Sequence, residues 1–436
     1  MKKIILFFLF LITVVRIIST DKEGPIIVAL LMIKDEAHCI KETLMPLVEG
    51  GIGDLVILDT GSTDGTQDII KNYFKATGVN GLLFEEPFID FATSRNRLLE
   101  LAEREFPGAH FWLMLDANWY LRNTEKLLIY TQTVINKTES AYAIDLYDEW
   151  GVFKSSRLFR VADKIRYHGA VHEHINCSTA GFIPPDIYID ENKGKIGLEK
   201  TVQRCKNSDV KVLHDMLEKN PHDTKILFYL GQTYNNIGDH DLAFTYYQRS
   251  IDEQTKINPD HSYEAAYRIA KLSHTRFLKH EPGFDWEKVQ DAYLNAYNFG
   301  PWHIEPLVHI AVHYLMQHEF LVAYTFIQST VEVPYPKYDV LGIEHEIFLS
   351  IRYEIVAFSA WITCEFDVGL SSVEKAIVQN STSRYLQDIR DYYLKSQQIH
   401  KLGNLDQMDD LYLEGSKLFT KNNFELYWKQ KKSEKK

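Results

Sequence analysis

The sequence predicts an α/β domain with a mostly parallel sheet, followed by an all-helical array. In the first half, short apolar runs end abruptly in acidic residues, and helical stretches separate these runs. From about residue 200 onwards, helical periodicity continues without further strand-like runs. Two or three domains are expected from 436 residues, because a single core rarely grows beyond about 250–300 residues.

The first apolar run, residues 26–33, predicts a strand that is buried on both faces. It is followed by Asp35 and Glu36, by a helical stretch, and by a second run over 55–58 that ends in Asp59. Strand, helix and strand in this order indicate a parallel βαβ unit. In such sheets ligands bind beyond the carboxyl ends of the strands, where these acidic residues lie.

A third apolar run, residues 111–115, ends in Asp116 and is followed closely by Asn118. Three strand ends then present carboxylates at one rim of the sheet. Converging carboxylates need a cation or a polar ligand to offset their repulsion, so the pattern favours a metal-nucleotide site. The alternative is that each acid only ends its strand or caps the next helix.

Four sequence blocks carry a resemblance to family-two glycosyltransferases of the GT-A fold. They lie at residues 32–36, 56–64, 91–96 and 113–118. Their order and spacing agree across residues 26–120, and the Asp-Thr-Gly-Ser-Thr-Asp block that begins at Asp59 is the most specific. The resemblance implies an inverting transferase that uses a nucleotide-diphosphate sugar and has a GT-A, Rossmann-like sheet.

The resemblance also implies roles for individual residues. The residues expected to bind the nucleotide-sugar are Asp35, Glu36, Asp59, Ser62, Arg95 and Asp116. Arg95 would approach the base or the diphosphate, and its alternative role is a surface salt bridge. Asp116 would occupy the first position of the Asp-x-Asp motif, where it contacts ribose and metal.

The chain departs from the family pattern at Asn118, where a second carboxylate is usual. An amide oxygen can still ligate a hard cation, but the lost negative charge weakens divalent-ion binding. The expected cofactor is a divalent cation, Mn²⁺ or Mg²⁺, held by Asp116, Asn118 and His172. The substitution puts both metal dependence and activity in question.

A second cluster of candidates lies between residues 145 and 175. A catalytic base must accept the proton of the attacking acceptor group, and Glu173 and Asp148 are the candidates, with Glu149 beside them. His172 is a candidate metal ligand or phosphate contact. The alternative for Glu173 and His172 is a hydrogen-bonded structural pair.

The blocks Arg-Leu-Phe-Arg at 157–160 and His-Glu at 172–173 resemble those of related transferases that carry a tetratricopeptide tail. This extends the resemblance to about residue 240. In an extended segment His172 and His174 lie on one face and Glu173 on the other. The spacing is not that of a His-Glu-x-x-His helix, which disfavours a zinc protease.

The helical half shows tetratricopeptide-like offsets. The small, aliphatic and aromatic residues at these offsets are Leu230, Gly231, Tyr234, Ala243 and Tyr247, then Ile269 and Ala270, then Ile310, Ala311, Tyr314, Ala323 and Ile327. Such helix pairs are expected to stack into a solenoid. A Tyr-rich stripe near Trp361 is predicted to pack between helices rather than to form an acceptor groove.

The composition excludes several classes of function. With 48 basic and 60 acidic residues the net charge is −12, which disfavours nucleic acid as a partner. Four cysteines are too few for a disulfide scaffold, and at most Cys177 and Cys205 pair. The predicted boundaries are a targeting segment over 1–20, a GT-A domain over 24–195 and a helical domain over 200–428.

The amino terminus resembles a secretory signal or a signal anchor. Lys2 and Lys3 precede an apolar run over 4–15, and the alternative is a buried strand. The expected location is therefore the secretory pathway, either anchored in the lumen or secreted. Three acceptor sequons, at Asn136, Asn176 and Asn380, would be usable there.

The favoured function is a glycosyltransferase that acts on a glycan or polypeptide acceptor, with the helical tail positioning the acceptor, recruiting a protein partner or forming a homodimer. The alternative is a catalytically degenerate binding or scaffold protein, which Asn118 motivates. A nucleotidyltransferase is disfavoured, because no Gly-rich, Lys-containing phosphate loop follows the first strand.

Overall fold

The computed structural model describes most of the chain from Gly24 to Asn423. The described residues are 24–148, 151–171, 173–177, 181–192, 194–253, 259–336, 343–402, 405–420 and 423. Close contacts divide them into two units, and the boundary along the chain falls between Val212 and Leu213. The predicted targeting segment over 1–20 lies outside the described residues. Within them, no helix combines the length and the apolar character needed to cross a membrane.

The first unit is built on a nine-stranded mixed sheet. Its strands are β1 Ile27–Ile33, β2 Asp54–Asp59, β3 Asn80–Glu85, β4 Phe111–Leu115, β5 Trp119–Arg122, β6 Ala141–Asp148, β7 Gly151–Arg160, β10 Gly181–Phe182 and β11 Tyr188–Glu191. Their order in the sheet is β3-β2-β1-β4-β7-β6-β11-β5, and β10 also pairs with β6. A separate two-stranded sheet pairs β8, Tyr167–His168, with β9, His174–Ile175.

Helices cover both faces of the large sheet. They are α1 Ile40–Glu49, α2 Thr66–Thr77, α3 Phe91–Glu105 and α4 Thr124–Val134. Alternate residues of β1 enter different cores: Ala29 and Leu31 pack with α1, α2 and α4, whereas Val28 and Leu30 pack with α3. This burial on both faces explains why the strand reads as a continuous apolar run, and it confirms that prediction.

Parallel pairing is confined to part of the sheet. The strands β3, β2, β1 and β4 are parallel neighbours, and β6 pairs in parallel with β10 and β11. The pairs β4–β7, β6–β7 and β5–β11 are antiparallel. The predicted α/β fold followed by an all-helical region is confirmed, and the sheet is mixed because β7 returns beside β4.

Two further helices follow, of which the first belongs to the first unit and the second contains the boundary between the units. They are α5 Gly194–Arg204 and α6 Val210–Lys219, joined by a π-helical turn over Cys205–Asp209. No disulfide joins Cys177 to Cys205, both of which are described, so the pairing offered as a possibility is wrong. Cys205 instead donates to Asp209 at 3.8 Å, inside the π-helical turn.

The second unit consists of successive helices, most of which pack as antiparallel pairs. Its helices are α7 Thr224–Ile237, α8 His240–Asp252, α9 Pro259–Leu278, α10 Trp286–Phe299, α11 Glu305–Met316, α12 Phe320–Ile327, α13 Arg352–Ile362, α14 Phe366–Gln379, α15 Arg384–Leu402 and α16 Leu405–Gly415. A Cβ added to Gly231 of α7 would lie 2.6 Å from the Tyr247 ring of α8. The small-residue offset therefore permits close helix approach, as predicted.

The Tyr-rich stripe near Trp361 packs between helices, as predicted. Trp361 and Tyr393 are fully buried, and their ring centroids lie 5.3 Å apart. The Trp361 ring also stacks on Phe419 at 4.8 Å, and Tyr392 approaches it edge-on. These rings join α13, α15 and the residues after α16 into one core.

Candidate functional site

The turn after β2 is organised by Asp59. This side chain is 1% exposed, and its Oδ1 accepts the backbone N–H groups of Gly61 and Ser62 at 2.8 and 2.7 Å. Gly61 has a φ of 106°, in the region that favours glycine. Asp59 Oδ2 is buried and has no hydrogen-bond partner among the described residues. The carboxylate therefore holds the turn and keeps one oxygen uncommitted.

The loops after β1 and β2 are joined by reciprocal hydrogen bonds. The Asp35 N–H donates to Ser62 Oγ at 2.7 Å, and the Thr63 N–H donates to Asp35 Oδ1 at 2.7 Å. The Ala37 N–H donates to Asp64 at 3.0 Å. Asp35 and Ser62, both predicted to line the nucleotide pocket, are thus adjacent and support each other. The parallel register that places Ile33 opposite Asp59 brings their loops together.

Glu36 lies in the same pair of loops, and Lys200 of α5 covers it. The Glu36 N–H donates to Thr66 Oγ1 at 2.8 Å. Lys200 Nζ donates to the carbonyls of Lys34 and Asp35 at 3.0 and 3.1 Å and forms an ion pair with the Glu36 carboxylate. Lys200 is a contact that sequence reasoning missed, because 164 residues separate it from Glu36.

Arg95 joins two of the predicted acidic residues. Its Nη2 donates to Asp116 Oδ1 at 2.8 Å, and its Nε donates to Glu173 Oε1 at 2.6 Å. Arg95 forms salt bridges, as its alternative role predicted, but it is 4% exposed, so the predicted surface location is wrong. Asp116 follows β4, and Glu173 lies just before β9. The predicted base and the predicted Asp-x-Asp carboxylate therefore share one buried guanidinium.

Positive charge surrounds Asp116. Burial by itself raises the pKa of this carboxyl group, but the opposing charges of Arg95, Arg157 and Arg204 bring the pKa below its ordinary value. The Arg157 guanidinium stacks over the Trp119 ring at 4.3 Å, and that of Arg204 lies over the Phe91 ring at 5.3 Å. Arg157 belongs to a block that the sequence had marked, whereas no sequence signal pointed to Arg204.

Part of the predicted site lies beyond what the structure describes. His172 is outside the described residues, and Asp148 is placed only as the last residue of β6. Asn118 follows Asp116 in the turn before β5, and its backbone carbonyl accepts the Asn192 N–H at 3.2 Å. The roles predicted for His172 and Asp148 therefore stay predictions.

The described residues fit a divalent cation poorly at Asp116. One oxygen of this carboxylate is bonded to Arg95, and Asn118 contributes no charge. Among the described residues, one group of three acidic, His or Cys side chains is compact enough for an ion: Glu36, His38 and Cys39. That group is also poor, because burial and Glu36 raise the pKa of the Cys39 thiol to about 12 and so disfavour the thiolate.

The chain is similar in sequence to two curated glycosyltransferases. They are the SPbeta prophage-derived glycosyltransferase SunS of Bacillus subtilis (strain 168) and glycosyltransferase SunS of Bacillus phage SPbeta. Each is 24% identical over 247 residues, which cover 54% of this chain and 56% of the relative. The resemblance to glycosyltransferases is confirmed. The match spans little more than half the length of these relatives, and no family model matches the chain.

Two solved structures are similar at low scores. S. aureus TarS 1-349 is 14% identical with a TM-score of 0.33, covering 72% of this chain and 94% of that one. MamA is 15% identical with a TM-score of 0.31, covering 43% of this chain and 95% of that one. The relationship to glycosyltransferases is supported by the sequence match and not by these structural likenesses.

Proposed function

We propose that the protein is a glycosyltransferase that moves a sugar from a nucleotide-diphosphate sugar to a glycan or protein acceptor, with inversion at the anomeric carbon. The observation that carries the proposal is the convergence at one rim of the sheet. Asp59 ends β2, Asp116 follows β4, and both strands run parallel to β1 between them. This rim is where parallel α/β sheets bind nucleotides.

The donor would lie along this rim. Asp59 and the loops that it organises would hold the nucleoside, because an uncommitted carboxylate oxygen and closely approached backbone suit a ribose and a base. Arg95 and Asp116 would lie beside the diphosphate and the ribose, as the sequence resemblance implies. The donor sugar would then face Glu173, which Arg95 holds from its other side.

The chemistry asks for one proton acceptor and for stabilisation of a leaving diphosphate. The acceptor oxygen or sulfur would attack the anomeric carbon and lose its proton to Glu173, while the bond from that carbon to the diphosphate oxygen breaks. One oxygen of Glu173 is bonded to Arg95, and the other would accept the proton of the acceptor. Arg95 would thus act as a positioning residue for the base.

The test is transfer by the intact protein with a panel of nucleotide-sugars, with and without Mn²⁺, followed by release of nucleoside diphosphate. Glu173→Gln keeps the shape and removes the basic oxygen, so a fall in turnover of about 10²–10⁴-fold is expected. Glu103→Gln, which removes a surface ion pair with Arg166 at 2.9 Å, is the matched control and should retain activity. An unchanged turnover in Glu173→Gln would contradict the base assignment.

A second candidate is a catalytically degenerate binding protein, which Asn118 favours because it replaces an expected carboxylate. Binding of a nucleotide-sugar without hydrolysis or transfer, for every donor tested, would favour this function. The helical unit would then recruit a protein partner. Secretory localisation rests on the predicted targeting segment over 1–20 and is proposed on that ground alone.

A further inference from the structure

A buried guanidinium already engages Asp116, the residue that a divalent cation would need. Asp116 Oδ1 accepts from Arg95 Nη2 at 2.8 Å, so one of its two carboxylate oxygens is committed. A dication bound at Asp116 would lie close to the positive charge of Arg95 and would be repelled by it. Asn118 adds no charge to offset this repulsion.

Arg157 lies next to the carboxyl end of β4. It precedes Leu158, which pairs with Leu113 of β4, two residues before the strand ends. Its guanidinium stacks on Trp119 at 4.3 Å and donates from Nε to Ser155 Oγ at 2.9 Å. Among the described residues, no carboxylate forms an ion pair with Arg157, so its terminal nitrogens can donate hydrogen bonds to a ligand.

Arg204 of α5 lies beside the first turn of α3, the helix that carries Arg95. Its guanidinium lies over Phe91 at 5.3 Å, and Phe91 is one helical turn before Arg95 on α3. Arg204 donates from Nε to Asp209 at 3.0 Å, and its side chain is 47% exposed. Its terminal nitrogens can therefore reach solvent or a ligand.

We propose that Arg157 and Arg204, beside the Arg95–Asp116 pair, bind the donor diphosphate and stabilise it as it leaves, in place of a divalent cation. This rests on the proposed function. When the bond from the anomeric carbon breaks, its electron pair stays on the diphosphate oxygen, and the guanidinium groups stabilise the added negative charge. The acceptor forms the new bond and loses its proton to the base, so no metal-bound species is required.

The test is calorimetric titration of the full chain with nucleoside diphosphates, UDP first, in EDTA and in Mn²⁺. The dissociation constant is expected to change less than about threefold between the two. Arg157→Ala and Arg204→Ala should each weaken UDP binding by about tenfold, equivalent to about 1.4 kcal/mol, and leave binding of uridine unchanged. Arg157→Lys keeps the charge without the planar fork and should fall between Arg157→Ala and the unmodified chain.

Arg104→Ala is the matched control. Arg104 lies on α3 nine residues after Arg95, its side chain is 58% exposed, and it pairs with Glu105, so UDP binding should be unchanged. A tenfold or greater gain in affinity with Mn²⁺, together with normal binding by Arg157→Ala and Arg204→Ala, would overturn the arginine assignment alone. If no nucleoside diphosphate binds under either condition, the proposed function fails with it.

Discussion

The two units of the protein bury charge in different settings. In the first unit, Arg95, Asp116 and Glu173 come from a helix and two loops that meet at the ends of strands. In the second, Glu305 is 0% exposed inside the helical core, where it accepts from the Glu344 N–H at 2.9 Å and from Tyr263 at 3.4 Å. Burial of charge therefore does not by itself mark a ligand site, and the proposed site rests on the position of its buried charges at strand ends.

The largest loss of stability is expected when an aromatic ring is removed from the core of the helical unit. Trp361→Ala removes a fully buried ring that stacks on Phe419, so it should lower the free energy of unfolding of this unit by about 3–5 kcal/mol. Denaturant unfolding followed by tryptophan fluorescence and circular dichroism measures it. Trp302→Ala, at a ring that is 43% exposed, is the control and should cost much less. Equal losses would contradict the packing role.

A smaller loss of stability is expected when Arg95, the shared partner of two carboxylates in the sheet unit, is replaced. Arg95→Ala leaves Asp116 and Glu173 without their shared partner. Removing one member of a fully buried pair costs about 3–5 kcal/mol, and we expect about 2–3 kcal/mol here because the Asp116 side chain is 32% exposed. Nucleotide binding should be lost as well. Arg97→Ala, on the same helix but paired with Glu86 at the surface, should cost under about 1 kcal/mol. A loss of similar size in both variants would show that Arg95 is not a buried centre.

The smallest expected effect is a difference between the two units in the pH range over which each loses stability. Burial and the neighbouring His274 lower the pKa of His313 from 6.5 to about 4, and its ring stacks on Trp286 at 3.3 Å. The unfolded chain therefore binds a proton at a higher pH than the folded chain does. Between pH 6.5 and about 4 the helical unit should lose stability on the order of 1 kcal/mol as pH falls. This is less than the loss of about 3 kcal/mol expected for a fully buried group, because the ring is only partly buried and solvent screens its charge. Above pH 6.5 this contribution is complete.

The sheet unit should respond in a more acidic range. The pKa of Asp116 is below its ordinary value, so its contribution is present above the unfolded value of about 3.9 and is lost only as pH falls further. Unfolding of wild type and of His313→Gln from pH 7 to about 2 covers both ranges. Identical pH profiles for these two proteins would contradict the assignment to His313.

Local patterns in the sequence were sufficient for β1, β2, β4 and the rim at their carboxyl ends. The buried run at β1, the acid after each parallel strand and the Gly231 offset all follow from periodicity over a few residues. The mixed character of the sheet was not predicted, because antiparallel return of β7 beside β4 depends on a register between distant segments. Asp35, Glu36, Asp59 and Ser62 lie together because their strands are adjacent, and their role in nucleotide binding stays a prediction.

By itself, the sequence determined the fold class, the strands β1, β2 and β4, and the acidic rim. It did not predict β3, which lies at the edge of the sheet and is only partly buried. Only the tertiary structure decided how these acids are paired. Glu173 lies 78 residues from Arg95, and Lys200 lies 164 residues from Glu36. The physical reason is that periodicity records which face of an element is apolar, whereas ion pairs depend on how separate elements pack. The three arginines around Asp116 therefore emerge only once the chain has folded.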